Sequence, residues 1–133
     1  MKRESWLQAA PESATIARAL VRDAAGELGL DEESTWDLML ATTEAVANAV
    51  VHGTPCREAG NGILLRLESC DDGLCVEVCD CGAFEVPSSP AAPDATHGRG
   101  LPIIAAVVDT FELVPDACQT RVRFGKRRAY AAA

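Results

Sequence analysis

The apolar and polar positions divide the chain into a series of short elements. Glu4 to Ala9 reads as a strand. Pro11 and Glu12 open a helix that runs to about Leu28, with Ile16, Ala19, Leu20 and Ala24 at helical spacing. Gly26 weakens that helix and Gly29 stops it. Asp31 caps the next one, and Glu32, Glu33 and Asp37 lie near its positive N-terminal end. This second helix spans about Glu32 to His52. Trp36, Leu40, Thr43, Ala47 and Val50 recur along it at steps of four, three, four and three, and Gly53 and Pro55 end it. Asn61-Gly62 marks a turn. Ile63 to Glu68 then alternates, with Ile63, Leu65 and Leu67 on one face. Asp71-Asp72-Gly73 is a hairpin turn, and Leu74 to Asp80 is the returning strand, with Leu74, Val76 and Val78 on one face. From Ala83 to Thr96 the pattern collapses around Pro87, Pro90 and Pro93, and a loop of that length inside a compact domain is functional or disordered. His97-Gly98-Arg99-Gly100 leads into a short apolar helix, Leu101 to Val108, with Pro102 in its first turn. Thr110 to Val114 and Thr120 to Phe124 close the chain as two more strands.

Helices and antiparallel strands are segregated in this order. The expected fold class is α+β: a two-layer sandwich with a mixed, mostly antiparallel sheet and helices on one face. A length of 133 residues fits one domain over the whole chain, with 83–97 as a lid-like loop and 125–133 as a tail. At 48% hydrophobic and 24% charged residues the chain can build a core, which excludes a disordered tail. Aromatics are only 5%, so that core is aliphatic.

A formal net charge of −8 argues against nucleic-acid binding, since phosphate contacts need clustered Lys and Arg, and the one basic cluster is Lys126-Arg127-Arg128. No apolar run reaches the roughly 20 residues of a membrane span. Met1 to Ala10 lacks the apolar stretch of a secretory signal, so a cytoplasmic location is expected. There the six cysteines are expected to be mostly reduced. No Cys-x-x-Cys spacing points to structural zinc. Cys75, Cys79 and Cys81 share one strand face. Cys79 and Cys81 flank Asp80, which suggests a thiol sensor; the plainer reading is small buried hydrophobes.

Three short words carry candidate chemistry. Glu44 and Asn48 are one helical turn apart, a proton acceptor beside an oxygen donor for a hard cation, and Asn48 is the one polar residue of Ala45 to Val51. Asp80-Cys81-Gly82 lies where an apolar strand gives way to a loop, so Asp80 can accept a hydrogen bond from a ligand amine while Gly82 lets the backbone approach. Gly98-Arg99-Gly100-Leu101 immediately precedes a helix, where backbone N–H groups can face an anion. The dinucleotide fingerprint fails, because Ile103 stands where a third glycine would be.

In this order the words resemble the GHKL-type (Bergerat-like) ATP-binding domains. Glu44-x-x-x-Asn48-Ala49 is similar to their N box, Asp80-x-Gly82 to their first glycine box, and Gly98-Arg99-Gly100-Leu101, followed by Ile103, Ile104 and Asp109, to their second. The resemblance runs from about Trp6 to Phe124 and is greatest to the anti-sigma-factor serine kinases, small single-domain proteins whose final strand carries a Thr where this chain has Thr120. It implies ATP and Mg2+ as cofactors. Glu44 would be the general base, Asn48 the Mg2+ ligand, and Asp80 the acceptor for the adenine amine, with Gly82 beneath the ring. The Gly98, Arg99, Gly100 and Leu101 backbone would cradle phosphates, and Thr120 would support Asp80 or the adenine. The proline-rich stretch would be the lid.

The implied activity is phosphorylation of a small anti-anti-sigma antagonist together with sequestration of a sigma factor, in a branch whose members commonly pair as homodimers. The sequence departs from an Asp-x-Gly-x-Gly first box, since Ala83 and Phe84 follow Gly82 directly, and its lid has no basic residue besides His97 and Arg99. The alternatives are an ATP-binding regulatory module without kinase turnover, and an α+β interaction protein that binds no nucleotide.

Overall fold

The computed structural model describes residues 1–52, 62–70, 72–80, 100–115 and 120–128. In chain order the elements are β1 (Lys2–Gln8), α1 (Ser13–Glu27), α2 (Glu32–His52), β2 (Gly62–Cys70), β3 (Gly73–Asp80), α3 (Gly100–Val107), β4 (Thr110–Pro115) and β5 (Thr120–Arg127). The strands form one five-stranded sheet in the order β1-β2-β3-β5-β4, and every neighbouring pair is antiparallel. The expected α+β sandwich is present, and the sheet is wholly antiparallel rather than mixed.

Local chemistry explains the element ends. Gly29 takes φ +72°, and the Leu30 N–H reaches back to the Ala25 carbonyl at 3.0 Å, a glycine-dependent helix stop. Two residues later Asp31 Oδ2 accepts from the Ser34 N–H at 3.0 Å and caps α2 as expected. At the hairpin, Asp72 has φ 67° and Gly73 sits so close to β5 that a Cβ would lie 2.1 Å from the Lys126 carbonyl oxygen. β5 runs on to Arg127 instead of yielding to a tail at 125. Gly125 pairs with both Cys75 and Thr110, where a side chain would meet Thr110 Oγ1 at 2.8 Å.

The inward face of the sheet follows the alternation read from the sequence. Ile63, Leu65 and Leu67 of β2, Leu74, Val76 and Val78 of β3, and Val122 and Phe124 of β5 all join the core beneath the helices.

The helices turn differently from expectation. In α1 the buried residues are Ser13, Ala17, Val21, Ala24 and Ala25, while Ile16 is exposed. In α2 the buried set is Ser34, Leu38, Met39, Ala41, Thr42, Ala45, Val46 and Ala49, and Trp36, Leu40 and Ala47 face outward. Small residues explain the choice: Ala41, Ala45 and Ala49 on one side of α2 permit close packing, which the Trp36 side would not.

The outer face of the sheet carries a row of alternating charge across all five strands. Glu4, Arg66, Glu77, Arg123 and Glu112 are successive register partners. Arg66 bonds both neighbours, with Nε at 2.9 Å from Glu4 and Nη1 at 3.1 Å from Glu77. Opposite charges in register favour this pairing over a shifted one.

The cysteine expectation needs correction. Cys70 and Cys75 form a disulfide across the β2–β3 hairpin, with Cα atoms 6.2 Å apart. Cys79 is a free, buried thiol that donates to Glu77 Oε1 at 3.1 Å. Burial, then the Glu77 hydrogen bond and charge, push its pKa up to about 12, so it lacks the thiolate a sensor requires. Cys56, Cys81 and Cys118 lie outside the described residues.

Candidate functional site

Asp80 is the last residue of β3 and lies on the same face as Leu74, Val76 and Val78, toward the helices. An apolar strand thus ends on a carboxylate that is only 9% exposed. Its register partner is Thr120, the first residue of β5, 7% exposed and on the face of Val122 and Phe124. Five polar residues are buried among the described residues: Ser13, Ser34, Thr42, Asp80 and Thr120. Ser13, Ser34 and Thr42 donate to the backbone carbonyls of Gln8, Arg127 and Leu38 respectively. Among the described residues, Asp80 and Thr120 are the one register pair of the sheet in which both members are polar and buried. Burying a carboxylate is costly, and such a group at a strand end is a functional-site candidate.

Glu44 and Asn48 are both half-buried on α2. Helical geometry sets them on one side, about 40° apart around the axis. α2 packs against β3 and β5, the strands that bear Asp80 and Thr120, and against α3. Gly100 opens α3 and Leu101 follows it, so the backbone of both belongs to the first turn, where N–H groups lack helical acceptors. α2 therefore packs against each of the other three elements carrying the described motif residues. Gly82, Gly98, Arg99 and the 83–97 lid lie outside the described residues.

The far end of this assembly is held by ion pairs. Lys126 of β5 reaches Asp37 of α2 at 2.8 Å and donates to the Val107 carbonyl at the end of α3 at 3.0 Å. The Asp37 hydrogen bond raises Lys126 above the ordinary lysine pKa, against a smaller opposing effect of burial. Asp109 Oδ2 accepts from the Arg127 N–H at 2.7 Å, and Arg128 lies 3.9 Å from Asp72. The side chains of two members of the Lys126-Arg127-Arg128 cluster thus have acidic partners, which weakens its reading as an anion patch. The Lys126–Asp37 link joins residues distant in the chain, and no local pattern announces it.

Among the described residues no group of three or more His, Cys, Asp or Glu is placed to hold a metal. A cavity of 440 Å³ runs beside Cys70, Cys75, Thr110 and Arg123, toward the opposite end of β3 from Asp80. No helix among the described residues is long and apolar enough to cross a membrane.

Residues 7–126 match the family described as histidine kinase-like ATPase domain. No curated protein matches the chain. Among solved structures it is similar to the RsbU and RsbW domains of Rv1364c from Mycobacterium tuberculosis, with a TM-score of 0.77 at 24% identity. That similarity covers 99% of this chain and 34% of the other, so the chain spans about a third of that protein's length.

Proposed function

Because the chain belongs to the histidine kinase-like ATPase domain family, we propose that it binds Mg-ATP and acts as an anti-sigma-factor serine/threonine kinase in the cytoplasm. In this reading it phosphorylates a small anti-anti-sigma antagonist and sequesters a sigma factor. The observation that carries the reading is the buried Asp80 carboxylate beside Thr120, at the helix-facing end of β3. A purine amine needs an acceptor of this kind, held out of water by an apolar strand.

The residues present fit the nucleotide. Asp80 accepts from the adenine amine and Thr120 supports it. Asn48 offers its carbonyl oxygen to Mg2+, and the Gly98–Leu101 backbone meets phosphate oxygens. Bound Mg-ATP supplies the transferable phosphoryl group and the charge neutralisation that transfer requires. Glu44, on the same side of α2 as Asn48, accepts the proton of the attacking hydroxyl. The partners follow from the likeness of the motifs to the anti-sigma-factor kinases, and the fold likeness to a protein with an RsbW domain is consistent with them.

A second reading, an ATP-binding regulatory module without turnover, is favoured by Phe84, which stands where the second glycine of an Asp-x-Gly-x-Gly box would be.

The deciding experiment is transfer of label from γ-labelled ATP to candidate antagonist proteins. Glu44→Gln keeps size and polarity but removes the base. It is expected to leave ATP affinity within a few fold and to cut transfer by about 10²-fold or more. Equal transfer by Glu44→Gln would remove Glu44 from its role. ATP binding without transfer by the unaltered chain would establish the regulatory module.

A further inference from the structure

On the side of α2 away from the core stands an apolar line. Trp36 is 61% exposed, Leu40 43% and Val51 70%, with Ala47 exposed between the last two. Steps of four, seven and four keep all four within about 60° around the helix axis and extend them over about 22 Å. Scattered surface hydrophobes need no explanation, but this is a heptad-like seam on one helix with a tryptophan at its head. The seam is also independent of fold stability, since the core takes the opposite side of α2 through Leu38, Ala41, Ala45 and Ala49.

The charges around the seam say what fits it. Glu32 and Glu33, both exposed, stand on either side of its Trp36 end. Glu44 follows along one flank, where Asp37 is already paired with Lys126 at 2.8 Å, while on the other flank α2 is tied to α1 by the Arg18 Nη1 bond to Thr43 Oγ1 at 3.1 Å. A second copy of the chain would bring a second set of Glu32, Glu33 and Glu44 to one seam and a second net charge of −8. A basic partner would meet complementary charge instead.

We propose that this seam docks an amphipathic helix of a protein partner, whose apolar stripe covers Trp36, Leu40, Ala47 and Val51 and whose lysine or arginine residues meet Glu32 and Glu33. This is helix-on-helix recognition with Trp36 as the anchor. The docked helix runs past Glu44. The inference goes beyond the kinase reading and does not require ATP.

The test uses the full chain carrying Trp6→Phe, so that Trp36 is the sole tryptophan. The probe is a synthetic amphipathic helix of about 20 residues, long enough to cover the seam, with leucine and isoleucine at heptad positions and lysine and arginine on its flanks. Saturable blue-shifted Trp36 emission is expected. Leu40→Asp and Val51→Asp, at exposed positions, should each weaken binding at least about tenfold while leaving far-UV circular dichroism unchanged. A peptide with the same apolar stripe and glutamate flanks should also bind at least about tenfold more weakly. Binding that survives Leu40→Asp and Val51→Asp, or that is equal for the two peptides, would overturn the proposal. So would a dimer in sedimentation that Leu40→Asp converts to monomer, since the seam would then belong to a second copy. Loss of kinase activity or ATP binding bears on none of these readouts.

Discussion

Asp80 and Thr120 are paired in register at the ends of β3 and β5, both buried and both on the face of the sheet that carries the core. Immediately behind them on the same face, Val78 pairs with Val122 and Val76 with Phe124. The apolar pairs of this row therefore end on a polar pair, on the strands that pack against the helix bearing Glu44 and Asn48.

Asp80→Asn keeps the shape of the side chain and exchanges a charged acceptor for an amide. Mg-ATP is expected to raise the melting temperature of the unaltered chain, because a ligand of the native state stabilises it by mass action. The variant should lose most of that rise, as a charge-assisted hydrogen bond is worth about 1.5–3 kcal/mol. A differential scanning calorimetry series at millimolar Mg-ATP checks this, and an unchanged melting curve for the unaltered chain would count against nucleotide binding altogether.

Asn48→Ala separates a metal ligand from a packing residue. It should weaken ATP binding in Mg2+ much more than in EDTA, since the lost oxygen serves the cation. Titration calorimetry under the two conditions gives the comparison. Equal losses would assign Asn48 to packing.

Lys126 and Asp37 should couple. A double-mutant cycle with Lys126→Met and Asp37→Asn is expected to give about 0.5–1 kcal/mol at neutral pH, given that both side chains are partly exposed. Because folding raises the Lys126 pKa, the coupling is fully present below the ordinary lysine value and is lost as the pH rises through the higher folded value. Urea unfolding of the four variants at neutral and at strongly alkaline pH measures both. A cycle unchanged in alkali would mean that Lys126 contributes by packing alone.

Cys79 should be inert in the folded chain. With its pKa pushed up to about 12 and its sulfur buried, alkylation by iodoacetamide at mild pH should leave it unmodified, whereas the same treatment in urea should label it. Peptide mass spectrometry resolves the site. Rapid labelling of Cys79 in the native state would restore the sensor reading.

Local signals in the chain specify most of the elements and the polarity of the sheet. Asp31 and Gly29 mark helix boundaries through a side-chain cap and a left-handed stop, and the alternation of Leu74, Val76 and Val78 against Cys75, Glu77 and Cys79 sets which face of β3 is buried. Asp80 could be singled out for the same reason: it continues the inward parity of an apolar strand. These signals involve residues a few positions apart, where backbone geometry alone relates them.

The phase of the helices was decided by packing. Two sets of positions on α2 have helical spacing, Trp36-Leu40-Thr43-Ala47-Val50 and Leu38-Ala41-Thr42-Ala45-Ala49, and periodicity establishes the turn of a helix without choosing which side faces the sheet. The choice needs the volume available against β3 and β5, which admits the small alanines and leaves Trp36 outside. The Cys70–Cys75 bond and the Lys126–Asp37 pair belong to the same class, since each forms only after the sheet register and the helix docking have brought their atoms together.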